Sequence, residues 1–251
     1  MRPLRVTRYK QDPAHCWIAA CSSVANFHNR KVDYNLAKHV AKKEVMSDIS
    51  EGAYSGDSGL LLNNLGFRKV KIFTCDLENL DYSMAKMSKK GLIERLDMVV
   101  KSRHPDINPD KRGINQSFRN FLQKKSFSNQ LVIDHHFSSH IREALDNGLP
   151  VLVSFNWNMY FEYPKAKEKK NPEFKDVISG YPEHHAVVAR GYNDKYIHIV
   201  DSHWEYYKRK LSKFRKGYYT IPWEEFMTVM GMGDVIIPED YEERRLNYEL
   251  V

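Results

Sequence analysis

Cysteine is scarce in this sequence: Cys16, Cys21 and Cys75 are the only three in 251 residues. An odd, small number is a poor disulfide framework and fits a reducing compartment, where a thiol more often serves catalysis or a metal. No pair has the Cys-x-x-Cys spacing, so a structural zinc site built on thiolates has no ligand set. Long apolar runs are also missing, and no membrane-spanning helix is expected. The first eleven residues are basic and polar and lack the apolar stretch of a secretory signal, so the expected location is the cytoplasm, or outside by a route that needs no signal peptide. Repeats and low-complexity stretches are absent, which removes solenoids and linkers from consideration.

What is present describes a globular chain. Hydrophobic residues make up 42% and charged residues 28%, too apolar for disorder. The length allows one large domain or two small ones. The formal net charge is +7, concentrated in two runs at 165–170 and 208–216. A basic patch can meet nucleic acid, an anionic surface or an acidic protein partner. Solvated lysines on a loop and a strand edge explain the same runs. An acidic partner stays open, and nucleic acid is disfavoured.

Hydrophobic periodicity predicts a helix over 16–28, with Trp17, Ala20, Val24 and Phe27 on one stripe. A second helix over 33–45 is expected with Asp33 as N-cap. Asp57 and Ser58 are expected to cap a third through Leu65, ended by Gly66, and 69–74 reads as a strand. Helical spacing recurs at 83–100 and 115–125, with Pro105 and Pro109 as breaks between. This middle part, about 78–135, is expected to be an inserted helical segment. Ser139 is expected to cap a helix ending at Gly148, followed by a strand at 151–157. Strands at 186–192 and 196–201 flank the turn pair Asn193-Asp194. Two more strands, at 218–221 and 235–237, enclose a helix opened by Pro222. The expected fold class is α+β in one domain: a helical half over about 8–147 and an antiparallel β half over about 148–238, with a cleft between them.

Chemistry gathers in two places. In Gln11-Asp12-Pro13-Ala14-His15-Cys16-Trp17 a polar turn delivers a cysteine to the first position of a helix. The unpaired amides and the macrodipole there favour negative charge, which lowers a thiol pKa toward the nucleophilic thiolate. An inert buried cysteine is the bland alternative, and Cys21, inside the helix, suits it better. The second place is His184-His185-Ala186-Val187-Val188-Ala189-Arg190-Gly191-Tyr192, followed by the strand that ends at Asp201-Ser202-His203-Trp204. A histidine opening one strand and an acid closing its hairpin partner come out at one sheet edge. An imidazole held by a carboxylate is oriented, and facing a thiol it becomes a general base. A structural His–Asp bond is the competing reading. His136 and His140 have a spacing that can hold a metal on a helix face, but the expected caps at Ser138 and Ser139 fall between them. Trp157, Tyr160 and Phe161 can line a cleft or belong to the core.

Together and in this order, the segments resemble the papain-like cysteine peptidases. The matching elements are the upstream glutamine, Cys16-Trp17 opening a helix, His185-Ala186-Val187-Val188 with Gly191-Tyr192 after it, and Asp201-Ser202-His203-Trp204. The flavour is most similar to the bacteriocin-leader-peptidase-like branch, including effector proteases of a Cys-Trp-Ala-Ala type; Gly148-Leu149-Pro150-Val151 matches its Gly-x-Pro-Val strand. The resemblance implies a papain-like fold with Cys16 as nucleophile, His185 as general base and Asp201 as its orienting partner. Gln11 would supply an oxyanion donor beside the Cys16 amide. His185 is chosen over His184 because it directly precedes the Ala-Val-Val strand. Gln11 stands five positions before Cys16, and His15 is the alternative donor. The expected activity is hydrolysis of a peptide or isopeptide bond in a protein or peptide substrate, with no cofactor and no metal. Two alternatives are an acyltransferase or transglutaminase-like enzyme with the same triad, and an inactive basic binding module on the same scaffold.

Overall fold

A computed structural model describes residues 2–50, 52–105, 107–160, 166–168, 171–175, 184–203, 216–231 and 233–243. Phe161, Trp204 and most of the two basic runs lie outside the described residues, as does most of the charged stretch 158–183.

The chain is α+β. Its strands are β1 (Phe67–Thr74), β2 (Gln130–Ile133), β3 (Val151–Asn156), β4 (Ala166–Glu168), β5 (Asn171–Lys175), β6 (His184–Tyr192), β7 (Tyr196–Val200), β8 (Tyr218–Pro222) and β9 (Asp234–Tyr241). Among these, β4 and β5 pair with each other, and the remaining seven form one sheet in the order β2-β1-β9-β3-β6-β7-β8. The helices are α1 (Cys16–His28), α2 (Tyr34–Val40), which runs on as a π turn over Ala41–Val45, α3 (Ser55–Asn64), α4 (Lys89–Lys101), α5 (Pro109–Gln123), α6 (Phe137–Asp146), α7 (Trp157–Tyr160) and α8 (Trp223–Met230).

Strand alternation divides the core between the two faces of the sheet. On one face Ile72, Leu152, Ala186, Val188 and Ile236 pack with Ile18, Val24, Leu61 and Phe121, which come from α1, α3 and α5. On the other, Val153, Phe155, Val187, Ile199 and Tyr219 pack with Ile141 of α6 and Phe226 of α8. Helix α1 is buried nearly all round from Trp17 to Asn26, more than the single stripe its periodicity predicts. The reason is that it lies between the sheet, α2 and α3. Ile18 and Val24 are fully buried, each worth about 1.5–3 kcal/mol of transfer free energy.

Several boundaries differ from expectation for identifiable reasons. Helix α3 begins at Ser55, so Asp57 is a first-turn residue whose Oδ2 accepts from the Tyr54 amide at 3.1 Å. Pro109 opens α5 instead of breaking the chain, behind Asn108, whose side chain caps the Lys111 amide. Proline suits a first helical position, where its missing N–H costs nothing. Helix α6 starts at Phe137, so Ser138 and Ser139 lie in its first turn and are not caps. The middle segment is not wholly helical. Its β2 pairs in parallel with β1, and four residues are too few to show a period of their own.

One irregularity decides which way the end of β7 faces. Strands β6 and β7 pair Tyr192 with Ile197 and Gly191 with His198 near the turn. Beyond a register shift the pairs become Ala189 with Ile199 and Val188 with Val200. Arg190 is the extra residue of a β-bulge. Its carbonyl, left out of the ladder, accepts from the Leu4 amide at 2.6 Å, so the N-terminal segment satisfies the bulge. Without that extra residue Asp201 would pair with Val188 and face α1. With it, Asp201 shares the face of His185, Val187 and Ile199.

Candidate functional site

The turn before α1 is tightly held. His15 N donates to Asp12 O at 3.1 Å, Pro13 sits second and Ala14 third with φ 62°. A left-handed alanine costs about 1–2 kcal/mol, so this turn is imposed by its neighbours. The Tyr34 hydroxyl takes the Asp12 amide at 3.1 Å, and Lys38 Nζ donates to Asp12 Oδ2 at 2.6 Å. Cys16 follows as the first residue of α1, and no side chain caps the helix start. Its amides therefore remain available to an anion.

The Cys16 thiol hydrogen-bonds the His185 side chain and takes backbone hydrogen bonds from Ala186 and Trp17. Burial opposes its ionisation, but the His185 hydrogen bond and charge and the two amides prevail and hold the thiol below its ordinary value. Burial likewise opposes charge on His185, and the neighbouring Asp201 carboxylate and Cys16 thiolate outweigh it, raising the imidazole. Both directions favour a thiolate–imidazolium pair.

His185 Nε2 lies 2.8 Å from Asp201 Oδ1, which leaves Nδ1 as the nitrogen toward Cys16. The Asp201 carboxylate is fully buried. Burial alone would raise it, yet the charge and hydrogen bond of His185, the His203 amide and the Tyr219 hydroxyl hold it below the usual carboxylate range. The His203 amide donates to Oδ1 at 2.8 Å and Tyr219 Oη to Oδ2 at 2.9 Å. The backbone of Asp201 is fixed as well: its N–H donates to Gly217 O at 2.8 Å, and its carbonyl accepts from Arg8 Nε at 2.8 Å. Arg8 Nη2 also reaches Ser202 O at 3.1 Å.

Gln11 reaches the same neighbourhood. Ser202 Oγ donates to Gln11 Oε1 at 2.6 Å, which turns the amide nitrogen away from Ser202. His15 is engaged elsewhere: Nδ1 lies 3.1 Å from the Tyr34 hydroxyl, and the ring has a backbone hydrogen bond with Ile49. His184 is exposed while His185 is buried. Although its surface reaches solvent, the protein packed around the His184 imidazole strips enough hydration to lower it, against the opposing charge of Asp76.

The other thiols are of a different kind. Burial pushes Cys21 far up, and its Sγ contacts Ser58 O at 3.6 Å. Cys75 is raised by burial and by Asp234, Asp76 and Asp134. His140 pairs with Asp134 at 2.9 Å and stacks on Phe73 with ring centroids 3.9 Å apart. No group of three metal-ligating side chains occurs among the described residues. Trp157 is buried, and Tyr160 stacks on Tyr219 beside Phe155.

The structure thus brings Gln11, Cys16, His185 and Asp201 together. Two contributors, Arg8 and Tyr219, have no signal in the sequence: Arg8 lies in a segment without periodicity, and Tyr219 is marked only as part of the expected strand at 218–221. Ser202 stands in the matched Asp201-Ser202-His203-Trp204 segment, but its contact with Gln11 is made only by the fold. No helix among the described residues is long and apolar enough to cross a membrane.

A family model described as Peptidase C39-like matches residues 101–227, a stretch that holds His185 and Asp201 and begins after Cys16. A crystal structure from Bacillus anthracis, provisionally assigned as a C39-like peptidase, is similar at 12% identity, with a TM-score of 0.45, over 95% of this chain and 96% of that chain. No curated protein matches the sequence.

Proposed function

The chain belongs to the Peptidase C39-like family, and on that premise we propose that it is a cysteine hydrolase that cleaves a peptide or isopeptide bond through an acyl-enzyme on Cys16. The observation that carries the reading is the hydrogen-bonded chain from Cys16 through His185 to Asp201, with the thiol lowered and the imidazole raised. We read the chain as one catalytic domain, since the helix bearing Cys16 and the hairpin bearing His185 supply one site.

The Cys16 thiolate attacks the carbonyl carbon, and the carbonyl oxygen becomes an oxyanion. The Gln11 amide and the Cys16 N–H are the donors proposed for it, and one such donor is worth about 3 kcal/mol in the transition state. The His185 imidazolium gives its proton to the departing amine as the C–N bond breaks, leaving a thioester. Water then attacks the thioester carbon while His185 takes its proton. The C–S bond breaks, the acid is released, and the imidazolium stays paired with the re-formed thiolate. Asp201 stays ionised throughout and holds the imidazole in orientation.

The test is incubation with a complex peptide library, scoring new termini by mass spectrometry for the unaltered protein and for Cys16→Ala. New termini seen only with the unaltered protein support the reading. A thiol at Cys16 that alkylates rapidly, with no new termini above the Cys16→Ala background, overturns it.

A further inference from the structure

We propose that Tyr219 is a positioning residue for this chemistry: its phenol locks the Asp201 carboxylate and, through it, the ring of His185. The inference rests on the hydrolase reading above.

The register puts these groups in line. Pairs Val188–Val200 and Tyr219–Ile199, continued toward the strand ends, set His185 and Tyr219 each diagonal to Asp201. All three side chains share one sheet face, and diagonal neighbours are within reach of long or aromatic side chains. Asp201 is therefore the middle member of a relay across three adjacent strands. His185 Nε2 and the His203 amide occupy Oδ1, each at 2.8 Å. Tyr219 Oη supplies Oδ2 at 2.9 Å.

A carboxylate gripped at one oxygen can rotate about its Cβ–Cγ bond, and χ2 of aspartate is a soft torsion. A second grip from the opposite side removes that freedom. A phenol suits the task because it donates while carrying no charge at neutral pH. It favours the ionised carboxylate without competing with His185 as a counter-ion. Tyr219 is itself 5% exposed, and the ring of Tyr160 stacks on it with centroids 6.2 Å apart. Phe155 meets both Tyr160 and His185 edge to face, so packing holds both ends of the relay.

The experiment is the pH dependence of Cys16 alkylation by iodoacetamide, which reports thiolate formation without needing a substrate. Tyr219→Phe keeps the ring and removes the hydroxyl. The expected result is a midpoint moved up by about one pH unit, read as an alkylation rate lowered about tenfold at a pH below both midpoints, with circular dichroism unchanged. In an Asp201→Ala background the same substitution should add nothing. A midpoint unmoved by Tyr219→Phe, or moved equally in the Asp201→Ala background, overturns the inference. Should the variant fail to fold, the Tyr219 hydroxyl proton followed by NMR in the unaltered protein serves instead. It should shift as His185 titrates, and indifference to that titration overturns the inference equally. An unaltered protein whose Cys16 reacts like an ordinary thiol sinks the hydrolase reading itself; a reactive Cys16 indifferent to Tyr219 sinks only the positioning role.

Discussion

The hydroxyl of Ser202 donates to the side-chain oxygen of Gln11 at 2.6 Å, joining the segment before Cys16 to the residue after Asp201. An amide held by its oxygen presents its nitrogen the other way. The Asp201 carboxylate and the proposed oxyanion donor are therefore set by one loop, which Arg8 clasps through the carbonyls of Asp201 and Ser202.

Gln11→Ala is expected to lower kcat by about 100- to 1,000-fold with little change in KM, because the oxyanion exists only once attack has begun. His15→Ala is expected to act on stability instead, since its ring is tied to Tyr34 and Ile49. Steady-state kinetics and melting temperatures of the two variants check this. A normal kcat in Gln11→Ala with a large kcat loss in His15→Ala would move the donor to His15.

Cys16 should alkylate faster at pH 6 than Cys21 or Cys75, by about tenfold or more. The sign comes from the directions of shift. Cys16 lies below its ordinary value, so its thiolate persists as pH falls, whereas the other two lie above theirs and stay protonated. The raised His185 extends the upper side of the window, so reactivity dependent on the imidazolium should survive well above the ordinary histidine range. Peptide-resolved mass spectrometry across pH reads all three thiols; equal rates at pH 6 would remove Cys16 as nucleophile.

His185→Ala is expected to reduce turnover by about 100- to 10,000-fold. His184→Ala should stay within about twofold, a surface-type effect for an exposed side chain. Asp201→Ala should fall between them, because it removes orientation and not the base. Comparing kcat/KM for the three variants decides the register: if His184 were the essential one, β6 would be offset by a residue.

Gly217→Ala should destabilise the fold by about 2 kcal/mol or more and slow Cys16 alkylation. Gly217 has φ 84°, and a Cβ there would strike the Asp201 carbonyl and the Arg8 side chain. The carbonyl of Gly217 receives the Asp201 amide at 2.8 Å, so a shift of this turn carries Asp201 with it. Thermal melting together with alkylation rate tests both effects; a variant that melts normally and keeps a reactive Cys16 would free Asp201 from this turn.

How far the sequence went depended on how local each signal was. Helix α1 was legible to the residue, because Cys16 succeeds a proline-containing turn and the periodicity of 17–27 is unbroken. The hairpin of β6 and β7 was legible from Asn193, whose Oδ1 accepts from the amides of Lys195 and Tyr196. The start of α5 was misread because Pro109 breaks a helix and opens one equally well, and the preceding Asn108 was overlooked as its cap. Strand β2 was missed because it owes its existence to β1, a partner more than fifty residues away.

Sequence alone determined which residue types were on offer: a thiol at a helix start, a histidine opening a strand, an acid closing the next and a glutamine before the thiol. Each rests on contacts within a few residues, where propensity and turn chemistry decide. Tertiary structure decided which of them meet. The bulge at Arg190 is completed by the Leu4 amide from the far end of the chain, and it alone turns Asp201 to the face of His185. The period of a strand is two, so one extra residue reverses every side chain beyond it. No local pattern records that reversal, because the hydrogen bond that holds it comes from outside the hairpin.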